Sequence, residues 1–520
     1  MKKHLFILIL LSVCYSHCME KVPEQSNLIF SQLYELNKAL LAAPSPDEAQ
    51  TLLDQGACIH ARDVNLNTPL HHAALKENIS LVSFLLEHNA NPNICNHSQE
   101  PPLFIALDKG CIDIAQQLIT HKARIDAVDR HYNIILHPTA ASGNANALTY
   151  ICNMLQEQHL LSDMINTPNV VGQTPLHIAA QYNYATILRI LHAYHANLDI
   201  QDNSHKTPLY LAAENGHEES ATCLLELGAN PDHTKLSPLH ITLINHHSAI
   251  ARQLIIHGAN VNAWVAETTP LRCAVEHSRD LVSLLLQYGA DPNLGRPIDI
   301  VIQCDEINVV QQLAQAGADL DYTLHRAIDY NAQKTIIWLV ENQLVDINQR
   351  LPEYPYYQPL YIAIRNGNVP IATLLLMYNA CVTPINEYLS ALRDIRDEAT
   401  ILSMTALLKQ RGIDLTHTFT QHNRNTLLHI AAQKGLYKVA QQLVDDGASI
   451  IAVNARGFIP YNYVSPQHAN YTQLESLLRP PAIFKPASWA VRLVAWLKLS
   501  PSDEASEQEQ EMSIIIRDDD

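Results

Sequence analysis

The sequence predicts an all-α fold, a solenoid of about thirteen helix-turn-helix repeats with protruding loops. The first observation is that residues 172–236 contain one residue pattern twice, with Pro175 and Pro208 separated by 33 positions. The second is that each copy has the same order: Thr-Pro-Leu, two alanines, a polar break, a leucine-rich stretch and Ala-Asn. A fixed period of this length is typical of repeat proteins, in which each repeat buries its apolar faces against its neighbours.

Each copy is predicted to form two short antiparallel helices. Thr174 and Thr207 can cap the first helix, and a proline follows at the first helical position, where no backbone donor is needed. The alanine pair has almost no side chain, so the second helix can approach the first closely. Gly228 lies just past the second helix, where a residue with positive φ ends a helix at low cost. Two helices and a protruding loop therefore make one repeat.

The pattern resembles the ankyrin repeat. The Thr-Pro-Leu-His-x-Ala-Ala run at 174–180 and the recurring Leu-Leu-x-x-Gly-Ala-x-x-Asn run match its signature and period. The resemblance implies that partner proteins bind at the loop tips and at the concave face formed by the first helices. It also implies that the histidine of the signature is a structural hydrogen-bonding group between helix and loop.

The first 18 residues form a segment of their own. Lys2 and Lys3 precede an apolar run and then small residues, which is typical of a secretory signal peptide. We therefore expect the chain to be exported and to be secreted or periplasmic. A lipid anchor on Cys14 or Cys18 is the less favoured alternative. No later segment approaches the ~18 to 20 apolar residues of a membrane span.

The remaining chain divides by how well it keeps the pattern. We predict an N-terminal capping repeat at 27–66, ankyrin repeats at 67–381, a degenerate repeat or insertion at 382–424, C-terminal repeats and cap at 425–479, an amphipathic helix at 480–500 and an acidic disordered tail at 501–520. The helix core at 488–499 either docks on the end of the solenoid or contacts a partner or a membrane surface.

Composition argues against several functions. The net charge is −18 without a visible basic stripe, which excludes a nucleic-acid role. Eight cysteines follow Cys18 without a CxxC pair, and we interpret them as small buried hydrophobes. No nucleotide-binding loop or catalytic motif is found, so we expect no enzyme, no cofactor and no metal. Six histidines occupy equivalent positions and are interpreted as structural: His71, His137, His177, His240, His325 and His429.

The residues that vary between repeats are the predicted partner-binding residues. Those on first helices are Lys76, Glu77, Tyr182, Glu214, Glu276, His277, Gln433 and Lys434. Those on loops are Tyr132, His205, Lys206, Lys235, Trp264, Tyr356 and Tyr357. Trp264 is the most prominent, because an exposed tryptophan is often a binding anchor. The alternative is that it packs against the neighbouring loop.

The sequence therefore predicts a monomeric, non-enzymatic scaffold, an exported effector that binds a host or other partner protein. Two alternatives stay open. An enzyme or toxin could have its site in 382–424, or the chain could be a structural protein of the cell envelope held by its C-terminal helix.

Overall fold

A computed structural model describes residues 24–233, 237–352, 357–382, 385–416, 420 and 423–481. The predicted signal peptide, the helix at 488–499, the acidic tail, Lys235 and Tyr356 lie outside the described residues. Regular structure in the described residues is helical, and Val265 and Thr268 form an isolated β-bridge. The chain divides into two compact blocks, an N-terminal block (Met1–Gly295) and a C-terminal block (Arg296–Asp520).

The N-terminal block contains eight consecutive repeats, numbered 1 to 8 in chain order. Their helices are α1 (Glu24–Ala42) and α2 (Pro46–Asp54); α3 (Pro69–Leu75) and α4 (Ile79–Glu87); α5 (Pro102–Asp108) and α6 (Ile112–Thr120); α7 (Leu136–Ala141), α8 (Ala145–Glu157) and the short α9 (Leu161–Met164); α10 (Pro175–Gln181) and α11 (Ala185–Ala193); α12 (Pro208–Glu214) and α13 (Glu218–Glu226); α14 (Pro238–Ile244) and α15 (Ser248–Ile256); and α16 (Pro270–His277) and α17 (Val282–Gln287), with a 3₁₀ turn (Arg279–Leu281) between the last two.

The C-terminal block contains five further hairpins, repeats 9 to 13, and a terminal cap. Their helices are α18 (Pro297–Cys304) and α19 (Ile307–Gln315); α20 (Thr323–Asp329) and α21 (Gln333–Glu341); α22 (Pro359–Arg365) and α23 (Val369–Met377); α24 (Ile385–Asp394) and α25 (Glu398–Gln410); and α26 (Leu427–Lys434) and α27 (Tyr437–Asp445). The cap is a 3₁₀ turn (Pro460–Tyr463) followed by α28 (Tyr471–Leu478).

The first helix of repeat 6 begins as the sequence predicts. Thr207 lies at the N-cap of α12 and its hydroxyl accepts the Tyr210 N–H at 3.2 Å, while Pro208 takes the first helical position. The turn to the second helix needs a left-handed residue. Gly216 has φ +74°, and a Cβ there would lie 2.6 Å from the ring of His247. Glycine therefore fits this turn better than a residue with a side chain.

Within each block the repeats stack as a solenoid. First helices pack on first helices and second helices on second helices of the next repeat, and the alanine pairs at this contact are fully buried, as at Ala179, Ala180, Ala212 and Ala213. The second helices contribute leucines such as Leu188 and Leu191, which have no exposed surface. Burial of each such side chain contributes about 1.5–3 kcal/mol relative to exposure. The fold predicted from the repeat pattern is confirmed.

Each of the six equivalent histidines links its own repeat to the repeat or cap that follows. At His71, Nδ1 accepts the Thr68 N–H at 3.0 Å, and Nε2 lies 3.0 Å from the Glu100 carbonyl oxygen of the following repeat. A carbonyl only accepts, so Nε2 carries the proton. The other Nε2 atoms lie 2.9–3.3 Å from carbonyl oxygens of the next repeat or the cap, at Gln173, Lys206, Thr268, Tyr357 and Phe458. The structural interpretation of these histidines is confirmed.

Residues 382–424, which lack the signature, contain a hairpin of their own. Its first helix, α24, packs between α22 and α26, and its second, α25, contacts α23 and α27. Tyr388 of α24 is almost completely buried and its hydroxyl donates to the Cys381 carbonyl at 3.0 Å. Tyr388 is therefore part of the core of this hairpin.

No disulfide joins the eight cysteines that lie in the described residues. Cys152, Cys223 and Cys273 are buried, in agreement with their interpretation as core residues, and burial raises the pKa of the Cys152 thiol to about 12. That interpretation is wrong for Cys304 and Cys381, which are exposed. Both lie at the end of a helix or just beyond a repeat, where the neighbouring side chains do not cover them.

Candidate protein-binding surface

The exposed sides of the first helices form a surface in the N-terminal block, which we call the first-helix face. Repeats 2 to 5 enclose a pocket of about 430 Å³ on it. Its apolar lining is Leu75, Phe104, Ile105, Pro138, Ala141, Ile178 and Tyr182. Its polar lining is Glu100, Asp108, Lys109, Asp129, Asn133, His137 and Asn169.

The pocket opens because repeat 4 carries small residues at positions where its neighbours carry large ones. Three residues after the position of the signature proline, α5 has Ile105 and α10 has Ile178, whereas α7 has Pro138. Six residues after it, Ala141 of α7 stands in line with Asp108 and Gln181. The side chains of α5 and α10 therefore form the walls of the pocket, and the smaller side chains of α7 form its floor.

Tyr182 forms part of the pocket wall and is the one sequence-predicted residue that lines it. Its side chain is 54% exposed, and its ring stacks on Tyr184 at a centroid distance of 6.1 Å. Leu75, on the opposite side of the pocket, is 49% exposed. Exposed apolar groups around a depression are typical of a binding site.

The sequence did not identify the other pocket residues. None of these residues is unusual within its own repeat, because scaffold and surface positions alternate there. The residues concerned include Leu75, Ile105, Pro138 and Ala141. Alignment of the same position across repeats 3, 4 and 5 would have revealed them, because the signal is a small residue between two large ones.

Two predicted lysines have structural contacts instead. Lys76 Nζ donates to the Ala42 carbonyl at 3.1 Å and Lys434 Nζ to the Ile395 carbonyl at 2.6 Å. In both cases the lysine lies eight positions after the threonine that starts the signature, and it caps the end of the preceding first helix. These two lysines therefore each fasten a repeat to the preceding one, and burial lowers the pKa of Lys434.

Lys206 and Glu214, predicted separately, form an ion pair. Lys206 Nζ lies 2.8 and 2.6 Å from the two carboxylate oxygens of Glu214, and both side chains are less than a third exposed. The ammonium also lies 5.4 Å from the centre of the Tyr210 ring. The two charges largely neutralise each other, so this part of the face offers little net charge to a partner.

Glu276 and His277 form a second polar cluster on the first-helix face. Glu276 accepts from Arg272 Nε at 3.4 Å and lies 3.6 Å from His277 Nε2. The His277 ring meets the His246 ring edge-on at 6.0 Å. The ring contact thus joins repeats 7 and 8, whereas the charged contacts lie within the first helix of repeat 8.

Five successive loop tips of the N-terminal block, from Asn65 to Asn203, are tied into a rim by backbone hydrogen bonds. Backbone N–H groups donate from one tip to the preceding one, as from Arg130 to the Ser98 carbonyl at 3.0 Å and from Asn203 to the Val171 carbonyl at 3.1 Å. Tyr132, at the third of these tips, is 63% exposed. His205 is exposed at the fifth. The rim is therefore ordered although it protrudes.

Trp264 is 55% exposed in the loop before repeat 8. Its ring lies near Gly295, where a Cβ would be 3.5 Å from the ring carbon Cζ3, so Trp264 is more than half exposed and also lies close to the loop that follows repeat 8. Glu77 and Gln433 are exposed at the ends of their first helices. Tyr357 is partly covered, with the Arg365 guanidinium 4.9 Å from its ring centre.

Within the described residues, no three His, Cys, Asp or Glu side chains converge in a way that could hold a metal ion. The helices given above are also each too short or too polar to cross a bilayer.

Two family models match the chain. The model described as ankyrin repeats (3 copies) matches residues 37–129, 136–235 and 228–296, and the model of the single ankyrin repeat matches residues 423–455. Together they cover more than half of the sequence. Neither is the model of an enzyme.

Several known proteins and one solved structure are similar to this chain. The human transient receptor potential cation channel subfamily A member 1 is 26% identical over 437 residues, which is 76% of this chain and 38% of the channel. Mouse Rabankyrin-5 is 29% identical over 189 residues, 35% of this chain and 14% of that protein. The chain thus spans less than two fifths of either relative. The structure of the human ASB11 ankyrin repeat domain is 26% identical, with a TM-score of 0.37, and the match covers 43% of this chain and 98% of that one.

The repeated signature, the stacked helical hairpins and the matching family models lead to one conclusion: this chain belongs to the ankyrin repeat family.

Proposed function

We propose that this chain is a non-enzymatic scaffold that binds a partner protein through the first-helix face of its N-terminal block. The observation that carries the proposal is the pocket between repeats 2 and 5, with half-exposed Tyr182 and Leu75 at its edge. A buried or half-buried tyrosine at the centre of a contact is a frequent binding hot spot, because it covers much area at low entropic cost.

The surroundings of the pocket support rigid recognition. The helix cap of repeat 2, the histidine links and the hydrogen bonds between loop tips fix the positions of the exposed side chains before a partner arrives. A surface ordered in advance loses less conformational entropy on binding, which leaves more of the contact energy as affinity.

The experiment is affinity capture with the tagged full-length chain, followed by mass spectrometry of the bound proteins. Tyr182→Ala is expected to lose the partner. Tyr330→Ala is the matched control, because Tyr330 lies at the corresponding position of repeat 10 and is 50% exposed. Equal capture by the two variants would contradict the use of this face.

We also propose that the chain acts outside the cell that makes it, on a host or other partner protein. The support is the charged and apolar pattern of residues 1–18. Intact-mass measurement of the protein recovered from the medium or periplasm should show the loss of a segment that ends near residue 18. Recovery of the uncleaved chain from the cytosol alone would refute export.

A further inference from the structure

We infer that the pocket of the first-helix face receives a short partner segment in which an apolar side chain lies next to an arginine or lysine. This inference rests on the proposed scaffold function and specifies the chemistry of the partner. It follows from the shape of the pocket floor and from the charges around it.

The floor suits an apolar side chain. Pro138 and Ala141 form its base, and Ile105 and Ile178 rise on either side. The volume of about 430 Å³ lies near the lower end of the ~300–1,000 Å³ that ligand sites occupy. It is therefore suited to one or two side chains and not to a whole structural element.

The charges around the floor favour a cation. Three carboxylates line the pocket, Glu100, Asp108 and Asp129, against a single ammonium group, that of Lys109. His137 also lines it, but its Nε2 donates to the Gln173 carbonyl at 2.9 Å and burial lowers its pKa, so it adds no positive charge near neutral pH. The pocket therefore has an excess of negative charge.

Two of these carboxylates are held in place by the loops. Asp129 Oδ1 accepts from the backbone of His131 at 2.7 Å and of Asn133 at 2.8 Å, and Glu100 accepts from Asn96 Nδ2 at 2.9 Å. Asp108 is exposed at the end of α5. The first two provide a fixed field, and Asp108 is free to approach a partner side chain.

An acidic partner segment would fit poorly. A carboxylate placed beside Glu100, Asp108 and Asp129 would lose hydration and face like charges, whereas a guanidinium or ammonium group gains charge-assisted hydrogen bonds there. An uncharged apolar segment would fill the floor but would desolvate the exposed carboxylate of Asp108 without offering it a partner. The combination of an apolar and a basic residue satisfies both parts of the pocket.

The test is selection of a random displayed peptide library on the full-length chain. The enriched peptides should combine a large apolar residue with an adjacent arginine or lysine, and a labelled enriched peptide serves as the probe in fluorescence anisotropy. Ala141→Trp, which fills the pocket, should weaken its binding at least about tenfold, the loss typical of a blocked hot spot. Asp108→Asn should weaken it about two- to fivefold and reduce its salt dependence.

Ile244→Trp is the matched control, since Ile244 occupies in repeat 7 the position that Ala141 has in repeat 4 and is 42% exposed. It should leave peptide binding unchanged. Tyr182→Ala is a second variant that shortens the pocket wall without filling it, and it should also weaken binding.

Enrichment of acidic peptides, failure to enrich any peptide, or equal binding to the unaltered chain and to Ala141→Trp would each overturn the inference. The proposed function is tested separately by protein capture. If Tyr182→Ala still abolishes capture of the partner protein while peptides ignore the pocket, the scaffold function stands and the peptide chemistry is wrong.

Discussion

Acidification is expected to destabilise repeats 2 and 3 through His71. The imidazole is 1% exposed, it accepts from Thr68 and it donates to the Glu100 carbonyl, so protonation would bury a charge and remove an acceptor. Burial lowers the pKa of His71 from 6.5 to about 4; its charged neighbours are His72, Asp63 and Arg62. The folded protein therefore holds this histidine neutral where the unfolded chain would protonate it.

The sign and size follow from linkage. Between pH 6.5 and about 4 the unfolded state binds more protons at this site, so the stability contributed by neutral His71 is complete above that window and falls as the pH is lowered through it. At 1.36 kcal/mol per pKa unit, the full loss is about 3 kcal/mol, of which about 2 kcal/mol is reached by pH 5.

The assay is amide hydrogen exchange of the full-length chain, which reports the free energy of local opening in α3 to α5 after correction for intrinsic exchange rates. His71→Gln removes the titrating group. Its opening free energy is expected to be lower than that of the unaltered chain near pH 7.5, and the difference should shrink by about 2 kcal/mol at pH 5.

Leu81→Ala is the control for loss of stability alone. Leu81 is 3% exposed in α4, the second helix of the same repeat, and its truncation lowers the opening free energy without removing a titrating group. Its pH dependence should therefore match that of the unaltered chain. If His71→Gln shows the same fall between pH 7.5 and 5 as Leu81→Ala, the reasoning about His71 is refuted.

Three further outcomes are expected. Gly216→Ala should destabilise repeat 6 by about 1–2 kcal/mol in urea unfolding, because φ is +74° and the His247 ring must move; unchanged unfolding would show that the turn relaxes freely. A thiol reagent should label exposed Cys304 quickly and buried Cys152 only on unfolding, since burial raises the pKa of Cys152 to about 12; equal rates, measured by peptide mass spectrometry, would contradict this. Lys434→Met should lower the opening free energy of α24 by about 0.5–1.5 kcal/mol through loss of the bond to the Ile395 carbonyl, and unaltered exchange in α24 would show that the lysine does not fasten the repeats.

The fold could be predicted from sequence because each scaffold residue acts locally. Thr207 caps its own helix, Pro208 fits the first turn of that helix, and Gly216 allows the turn to the second helix. The residues of one repeat are therefore sufficient to predict one helical hairpin. The histidines were also interpretable, because their position relative to the cap is fixed within the signature. Stacking then follows from the apolar faces that a single hairpin leaves exposed.

The binding surface was less predictable, because exposure and contact depend on neighbouring repeats. Lys76 and Lys434 occupy a position whose residue differs among repeats, as expected of a recognition position. Yet Lys76 bonds to a carbonyl 34 residues earlier in the chain, and Lys434 bonds to one 39 residues earlier. Lys206 and Glu214 pair with each other although eight residues separate them. A long charged side chain reaches several backbone and side-chain groups, and sequence position alone does not select among them.

Repeat 4 shows where the information on recognition lies in a regular array. It lacks the signature proline, its first helix has Ile135 at the N-cap without a side-chain hydrogen bond, and its second helix extends over 13 residues. The missing proline and the missing cap weaken the start of the first helix, and the longer second helix enlarges the hairpin. The same repeat supplies Pro138 and Ala141, the small residues that open the pocket. Local rules are commonly broken where a site requires it, so the least regular repeat of the N-terminal block is the one around which recognition is expected to be centred.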